Sequence, residues 1–446
     1  MQPPKSELHK LVKLAVPVVL SQLGNISMGI VDTFVVGQAG SLDLAGIAAG
    51  NSFFWPVAVV AIGLLLGMDT IISQAFGKKD QDRIHACLGL GLTTSLIISL
   101  ILGPAIYLYS DYLTSFGVTE DIATKATPYL KVMAYSIPFL IIFNCVQKYW
   151  QAQELALPVT ILIIAANILN YLLDEAFVMG RWGFPQLGAE GVAYSTMFCR
   201  IFLLAAIMAL SAYLWSKKNR YSKPSLKSMR AIDGTLRRQF FFLSVPAATQ
   251  IGLEVFAFNV ITIIVASLNA VTLAAHHIVL NIATATFMFP MGVAIATSIR
   301  VGTHWGSDRH EEAAKAGTLG IKLSAAIMLV FGGILYFIPE VLIGYFTSDL
   351  DTINKGLEII ILCACFQVVD GIQVTTGGAL RGLGDTKTSL YTNTIGFYFF
   401  GLPISLISCF YLDWGLQGLW LGLASGLTLV AILNSYFWRR RLLHSK

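Results

Sequence analysis

LAVPVVLSQLGNISMGIVDTFVVG, residues 14–37, is the stretch that decides the fold. An α-helix needs roughly 20 apolar residues to cross a bilayer, and this run supplies them. It holds one ionisable side chain, Asp32. An ionised carboxylate is costly in hydrocarbon, so an acid inside such a run usually faces a cavity and marks an ion or substrate path. The opening tetrad also returns. Leu14-Ala15-Val16-Pro17 reappears as Leu243-Ser244-Val245-Pro246, at an offset of 229.

Outward from that segment, similar runs fill the chain. Twelve are read, at about 11–36, 47–75, 87–109, 130–150, 157–179, 190–214, 239–267, 273–299, 318–346, 356–380, 388–411 and 416–438. Backbone groups in lipid need internal partners, and these runs do not alternate as barrel strands do. They are therefore read as helices. Of 446 residues, 56% are hydrophobic and 12% charged, against roughly 25% charged in a soluble domain. The expected class is an all-α polytopic membrane protein. The first run is too long for a signal-peptide core and lacks a small-residue cleavage site. The six cysteines all fall in spans and read as small packing residues, with neither a disulfide framework nor a zinc site.

The net charge of +5 matters less than its distribution. Alternate loops hold 24 of the 30 Lys and Arg residues: Lys5, Lys10, Lys13, Lys78, Lys79, Arg83, Lys148, the 217–238 stretch, Arg300, Arg309, Lys315, Arg381, Lys387 and the bases of 439–446. The positive-inside rule then places both termini in the cytoplasm. The basic 217–238 stretch has no fold to present it to nucleic acid. It reads as a topology signal that touches anionic membrane lipid.

That stretch divides the runs six and six. The 229 offset also carries Leu44-Ala45 to Leu273-Ala274, Gly63 to Gly292 and Gly77 to Gly306. Six helices is an even number, so both halves enter the membrane the same way. Parallel repeats of this kind build transporters that rock two bundles about a central site. The expected domains are an N-terminal lobe, 1–216, a cytoplasmic linker, 217–238, and a C-terminal lobe, 239–446.

Four acids lie inside the spans: Asp32, Asp174, Glu254 and Asp370. At about 1.5 Å of rise per residue, Asp32 and Asp174 fall in the outer halves of the first and fifth spans. Asn170 is one turn before Asp174 on the same face. With Asn144 and Thr196 these residues make a candidate oxygen-rich cluster in the N-terminal lobe. Na⁺ is a hard cation that wants oxygen ligands, so Asp32, Asn170 and Asp174 are its candidate ligands; a proton wants a carboxylate. In the other lobe Glu254 and Asp370 lie near mid-span, with Gln250 one turn from Glu254 and Gln373 close to Asp370. Phe256, Phe258, Phe287, Phe289, Phe366 and Tyr398 surround them. Acid with aromatic walls suits an organic cation, although each ring taken singly is ordinary packing. Asp69, Glu175, Arg200 and Lys322 also fall within spans without an assigned role, and His276 and His277 open the eighth. No Walker-type loop, HExxH or GxSxG occurs, so no catalytic residue and no cofactor are expected.

These segments resemble the multidrug and toxic compound extrusion (MATE) family along essentially the full length, closest to its NorM-type branch. The resemblance is carried by VPVVLSQLGNISMGIVDTFVVG (16–37), SQAFGKKD (73–80), LEVFAFNV (253–260), AAHHIVLN (274–281), FMFPMGVAIATSIRVG (287–302) and VVDGIQVTTGGALRGLGDT (368–386). It implies two pseudo-symmetric six-helix lobes forming a V-shaped cavity, and export of cationic, often amphipathic compounds in exchange for Na⁺ or H⁺. Asp32 then matches the first-helix acid tied to cation coupling, and Glu254 and Asp370 match the acids of the C-terminal lobe. Asn170 and Asp174 fit the N-lobe cation pattern, with Asn144 and Thr196 as partners. One departure stands out: the NorM-type branch tends to carry an amide where Asp174 stands, and the other prokaryotic branch often lacks the C-lobe acids, yet this chain has both sets.

The expected function is therefore a secondary antiporter. It is a monomer of the plasma membrane, or of the inner membrane in a Gram-negative bacterium. Two other readings stay open. A flippase for lipid-linked oligosaccharide would want a basic cavity for its diphosphate, whereas the mid-span charges here are mostly acidic. A channel or structural membrane protein would leave the two-lobe repeat and the scattered acids without a purpose.

Overall fold

The structure, a computed structural model, describes residues 6–217 and 221–443. Lys5, Lys218, Arg220 and residues 444–446, all parts of the basic pattern, lie outside the described residues. Twelve helices are long and apolar enough to span a bilayer. The first six are α1 (Glu7–Ala39), α2 (Ser41–Lys78), α3 (Gln81–Phe116), α4 (Glu120–Gln151), α5 (Leu157–Phe177) and α6 (Ala189–Ser216). The second six are α7 (Gly234–Ala266), α8 (Ala270–Gly306), α9 (His310–Phe337), α10 (Leu350–Leu383), α11 (Thr386–Tyr411) and α12 (Gly415–Leu443). Leu100, Ile263, Phe337 and Phe399 are strongly exposed, as lipid-facing side chains of a multi-pass membrane protein should be.

The ends of these helices follow capping chemistry. Asp80, Asn269 and Asp385 each accept a hydrogen bond from the backbone N–H three residues on, at 3.0, 2.7 and 3.1 Å. This satisfies one of the orphan donors of the first turn. Asp349 does the same for α10, and the hydroxyl and backbone N–H of Thr352 hold its carboxyl below the ordinary aspartate value. Gly384 ends α10 at φ 91°, a left-handed position that suits glycine, and Asp385 N–H returns to Leu380 O at 2.9 Å. The GLGD turn thus stops α10 and starts α11 within two residues.

The chain forms two compact units. One runs from Leu23 to Ser244. In it α4 packs on α2, α3 and α6, and α5 packs on α6, around a core that includes Phe54, Leu65, Met68, Tyr129 and Trp150. α2 is interrupted by a turn at Leu64–Leu66, after which Gly67 N–H donates to Ser244 Oγ at 3.2 Å.

The other unit joins the chain up to Gln22 with everything from Val245 onward. Here α10 is central and packs on α8, α9 and α12. Glycines on α10 let the backbones approach. A Cβ on Gly378 would lie 2.5 Å from Ala294 O, and one on Gly382 2.6 Å from Ser298 O. Arg300 on α8 grips Glu7 of α1 through two hydrogen bonds, at 2.8 and 2.7 Å, and His304 Nε2 lies 3.2 Å from the same carboxylate. This clasp, with the close approach of Val19 to Gly292, ties the start of α1 to the second half of the chain, a boundary that differs from the expected 1–216 lobe. The expected linker 217–238 is also shorter, since α7 begins at Gly234 and a capped turn of helix occupies Leu226–Arg230.

Two other segments differ from expectation. The run read as 318–346 breaks after Phe337, and Pro339 opens a separate short helix, Pro339–Gly344. Proline fits the first turn of a helix and not its interior. Within α11 the backbone is π-helical over Thr394–Gly401 and Ile407–Tyr411. Gly396, Gly401 and Gly426 lie in close contact there, with a Cβ on Gly426 only 2.8 Å from Gly396 O.

Candidate functional site

The first site is built by α5, α6 and the part of α1 from Leu23 onward, all within the Leu23–Ser244 unit. Gly24 sets the approach of α1 to α5, because a Cβ there would lie 2.7 Å from Ile163 Cγ2. Both helices then run on about two turns, and the contact becomes polar. Asn170 Nδ2 donates to Asp32 Oδ1 at 2.9 Å, and Thr196 Oγ1 to Asp32 Oδ2 at 3.3 Å. Asp32 is 8% exposed, and Asn170 and Asp174 are 0% exposed. Asp174, one turn beyond Asn170, lies within electrostatic reach of Asp32. Ser195 and Asp32 lie beside Asp174, but the Ser195 hydroxyl is given to Gly191 O at 3.0 Å, and neither Asp174 oxygen nor Asn170 Oδ1 completes a hydrogen bond. Three fully buried oxygens without a completed hydrogen bond therefore sit beside a carboxylate already held by two.

Asn144 is not drawn into this cluster. Its Nδ2 bonds back to Leu140 O on its own helix at 2.9 Å. Three of the four unassigned charges have a partner, and the fourth, Lys322, is exposed. Arg200 donates to Ser136 Oγ and stands 5.1 Å over the Phe54 ring, a cation–π contact in a desolvated place. Its charge reaches Asp32. Lys148 Nζ pairs with Asp69 Oδ2 at 3.0 Å, both side chains being buried. Glu175 points away from Asp174 and pairs with Arg181 at 2.5 Å.

The second site lies in the other unit, on α7 and α10. Glu254 is half-buried and Asp370 is 9% exposed. Their carboxylates lie within electrostatic reach of each other, and Arg381 reaches Glu254. The π-helical stretch of α11 is tied to this place, since Tyr398 Oη donates to Leu253 O, next to Glu254, at 2.7 Å. Phe258 meets Phe397 with ring centroids 6.2 Å apart, whereas Phe256 is exposed. Gln250 is buried one turn before Glu254. Gln373 turns from Asp370 toward α11, donating to Asn393 Oδ1 at 3.3 Å. His276 is a packing histidine, held by Trp420 Nε1 at 3.1 Å and by Thr262 Oγ1 at 3.0 Å.

Sequence reasoning did not single out Ser136, the partner of Arg200, nor Ser389, Asn393 and Asn434 near Gln373. Small polar residues inside apolar runs carry little signal one at a time. The pairing of Asp69 with Lys148 had a signal, since opposite charges buried in spans of the same half must find each other.

Comparison with known proteins places the family and the fold. The MatE family profile matches residues 17–175 and 246–407, one block in each half of the repeat. A relative from Deinococcus radiodurans called "Probable multidrug resistance protein NorM" is 31% identical, over 98% of this chain and 96% of its own length. The "Multidrug resistance protein NorM" of Vibrio cholerae is 26% identical, over 98% and 96%. The crystal structure of a MATE protein in complex with MaL6 superposes with a TM-score of 0.90 at 17% identity, covering 99% of this chain and 97% of that one. With both halves matched by the family profile and near-complete alignment to a relative above 30% identity, the chain belongs to the MatE family, the multidrug and toxic compound extrusion transporters, on its NorM-type side.

Proposed function

We propose that this protein is a secondary antiporter that exports organic cationic and amphipathic compounds in exchange for Na⁺ or H⁺ by alternating access. The observation that carries the reading is the Asp32–Asn170–Asp174 cluster, with three buried oxygens that complete no hydrogen bond. Oxygen is what a hard cation coordinates, and a carboxylate pair is what a proton can share. Asn170 Nδ2 and Thr196 Oγ1 orient Asp32, and Asp174 supplies free lone pairs. An incoming cation offsets the repulsion of the two carboxylates, so the state that encloses it is stabilised when the ion is bound. A coupling ion drives transport only through such a difference in affinity between states.

Glu254 and Asp370, with Gln250 and the aromatic side chains of α7 and α11, form the site we assign to the exported cation or to a competing ion. Pro17 in α1 and Pro246 in α7 interrupt helix hydrogen bonding and supply bends in the two helices that run from one unit into the other. Each unit holds its own polar site, so a monomer suffices. The distribution of basic loops supports a cytoplasmic position for both termini.

The test is dye export by the purified protein in proteoliposomes, with the Na⁺ and pH gradients dissipated separately. Export is expected to stop on loss of one of the two. Export that continues at full rate with both collapsed would exclude antiport.

A further inference from the structure

Asp370 stands at the head of a buried polar column that runs along α10 toward Arg381 and the GLGD turn. Gln373 is one turn beyond it and Gly377 one turn further, on the same face. Gln373 Nε2 donates to Asn393 Oδ1 at 3.3 Å, and Asn393 Nδ2 donates to Ser389 O at 2.7 Å. Thr392 Oγ1 donates to Asn434 Oδ1 at 2.6 Å. α10, α11 and α12 are thus joined by amides and hydroxyls at one level. Gln373, Ser389, Thr392, Asn393 and Asn434 are all between 0% and 2% exposed.

This column is not satisfied by its own members. Gln373 Oε1, Ser389 Oγ and Asn434 Nδ2 have no hydrogen-bond partner. Buried polar groups left unpaired cost about 1–3 kcal/mol each, so native proteins pair them with solvent when direct partners are lacking. Two of these atoms, Ser389 Oγ and Asn434 Nδ2, border one space beside Gly377. A Cβ on Gly377 would lie 3.5 Å from Ser389 Oγ and 3.8 Å from Asn434 Nδ2. Glycine at 377 therefore leaves room for one small group between them. The space is offered the Asn434 amide and a hydroxyl that can donate or accept, and Gln373 Oε1 is a further unpartnered acceptor one turn back along α10. That mixture matches a water molecule, which takes two to four such partners.

We propose that Gly377, Ser389 and Asn434 enclose an internal water site, one turn along α10 from Gln373, that gives Asp370 proton exchange with the solution beyond the GLGD turn. Thr386 Oγ1, next to that turn at the start of α11, is also buried and unpartnered. Water held here lets a proton pass between Asp370 and bulk solvent without the rest of α10 opening. The inference builds on the antiporter reading and adds a route for a proton to reach or leave Asp370.

The test is infrared difference spectroscopy on the full chain in lipid nanodiscs, at a pH acid enough to protonate Asp370. The carboxyl band lost in Asp370→Asn is followed as H₂O is exchanged for D₂O. Gly377→Val should slow deuteration of that band about tenfold, the effect of a modest added barrier, with Gly377→Ala giving a smaller slowing. The alanine variant keeps the probe falsifiable if the valine variant does not fold, since its Cβ meets only ordinary contacts. Deuteration at the parent rate in a normally melting variant overturns the proposal. Ion-driven dye export, run beside it, can fail in the parent without touching this comparison, so the two readings stand or fall separately.

Discussion

At the scale of single residues, the buried charges separate into two kinds. Lys148 and Asp69 neutralise one another at 3.0 Å inside the Leu23–Ser244 unit. Removing one partner strands the other, which costs about 3–5 kcal/mol, whereas replacing both with neutral groups of similar size is often nearly neutral. Lys148→Met should therefore lower the melting temperature sharply in detergent, and Asp69→Leu added to it should recover most of the loss. A single variant as stable as the parent would show that the pair is not a structural lock. Asp32, Asp174, Glu254 and Asp370 make no ion pair with a base within 4 Å among the described residues, as suits groups that must meet a mobile cation. Glu254→Gln and Asp370→Asn should each slow dye export about tenfold or more while the protein still melts cooperatively. Parent rates in both would remove the second site from the mechanism. Much of the first site was legible in the sequence, because an acid in an apolar run is conspicuous and the Asn170–Asp174 spacing is helical. Asn144 was equally conspicuous, yet its amide bonds to its own helix at Leu140. Periodicity gives a residue's face but not its rotamer, and the rotamer decided this case.

At the scale of helices, glycine marks where backbones meet. A Cβ on Gly422 of α12 would lie 2.0 Å from Ser405 Oγ and 2.3 Å from Ser405 N on α11. Gly29 on α1 has nothing within 4 Å. Gly422→Ala should destabilise the protein by about 1–3 kcal/mol through overpacking. Gly29→Ala should be neutral or stabilise it by up to about 1 kcal/mol through helix propensity. Thermal unfolding of the two variants checks this, and a tolerated Gly422→Ala would mean that α11 and α12 are free to separate. The twelve apolar runs were legible because crossing a bilayer fixes both their length and their composition. The π-helical stretches of α11 were not, because they arise from glycine contacts with α12 that only the packed structure defines. The break at Pro339 was visible as a proline, but hydropathy alone carried the run through it.

At the scale of the whole molecule, the 229-residue repeat and the two units do not share boundaries. The sequence divides at the basic stretch, but each unit takes in the first turns of the helix that begins the other half: α1 as far as Gln22 and α7 as far as Ser244. The Glu7–Arg300–His304 clasp holds the first, and the bonds from Arg83 to Gln239 and from Gly67 to Ser244 hold the second. Sequence could not supply this exchange, because contacts between distant polar residues leave no periodic trace. The functional consequence is that α1 and α7 alone carry the chain from a segment in one unit to a segment in the other, with Asp32 and Glu254 each lying past that crossing. The central claim is that the Asp32 cluster couples the ion. Its most direct test is ion-driven dye transport into everted vesicles by Asp32→Asn, set beside equilibrium binding of the same dye to the purified variant. Transport should fall to the leak rate, with the dye Kd within about a factor of two of the parent. Gradient-driven transport at the parent rate would contradict it.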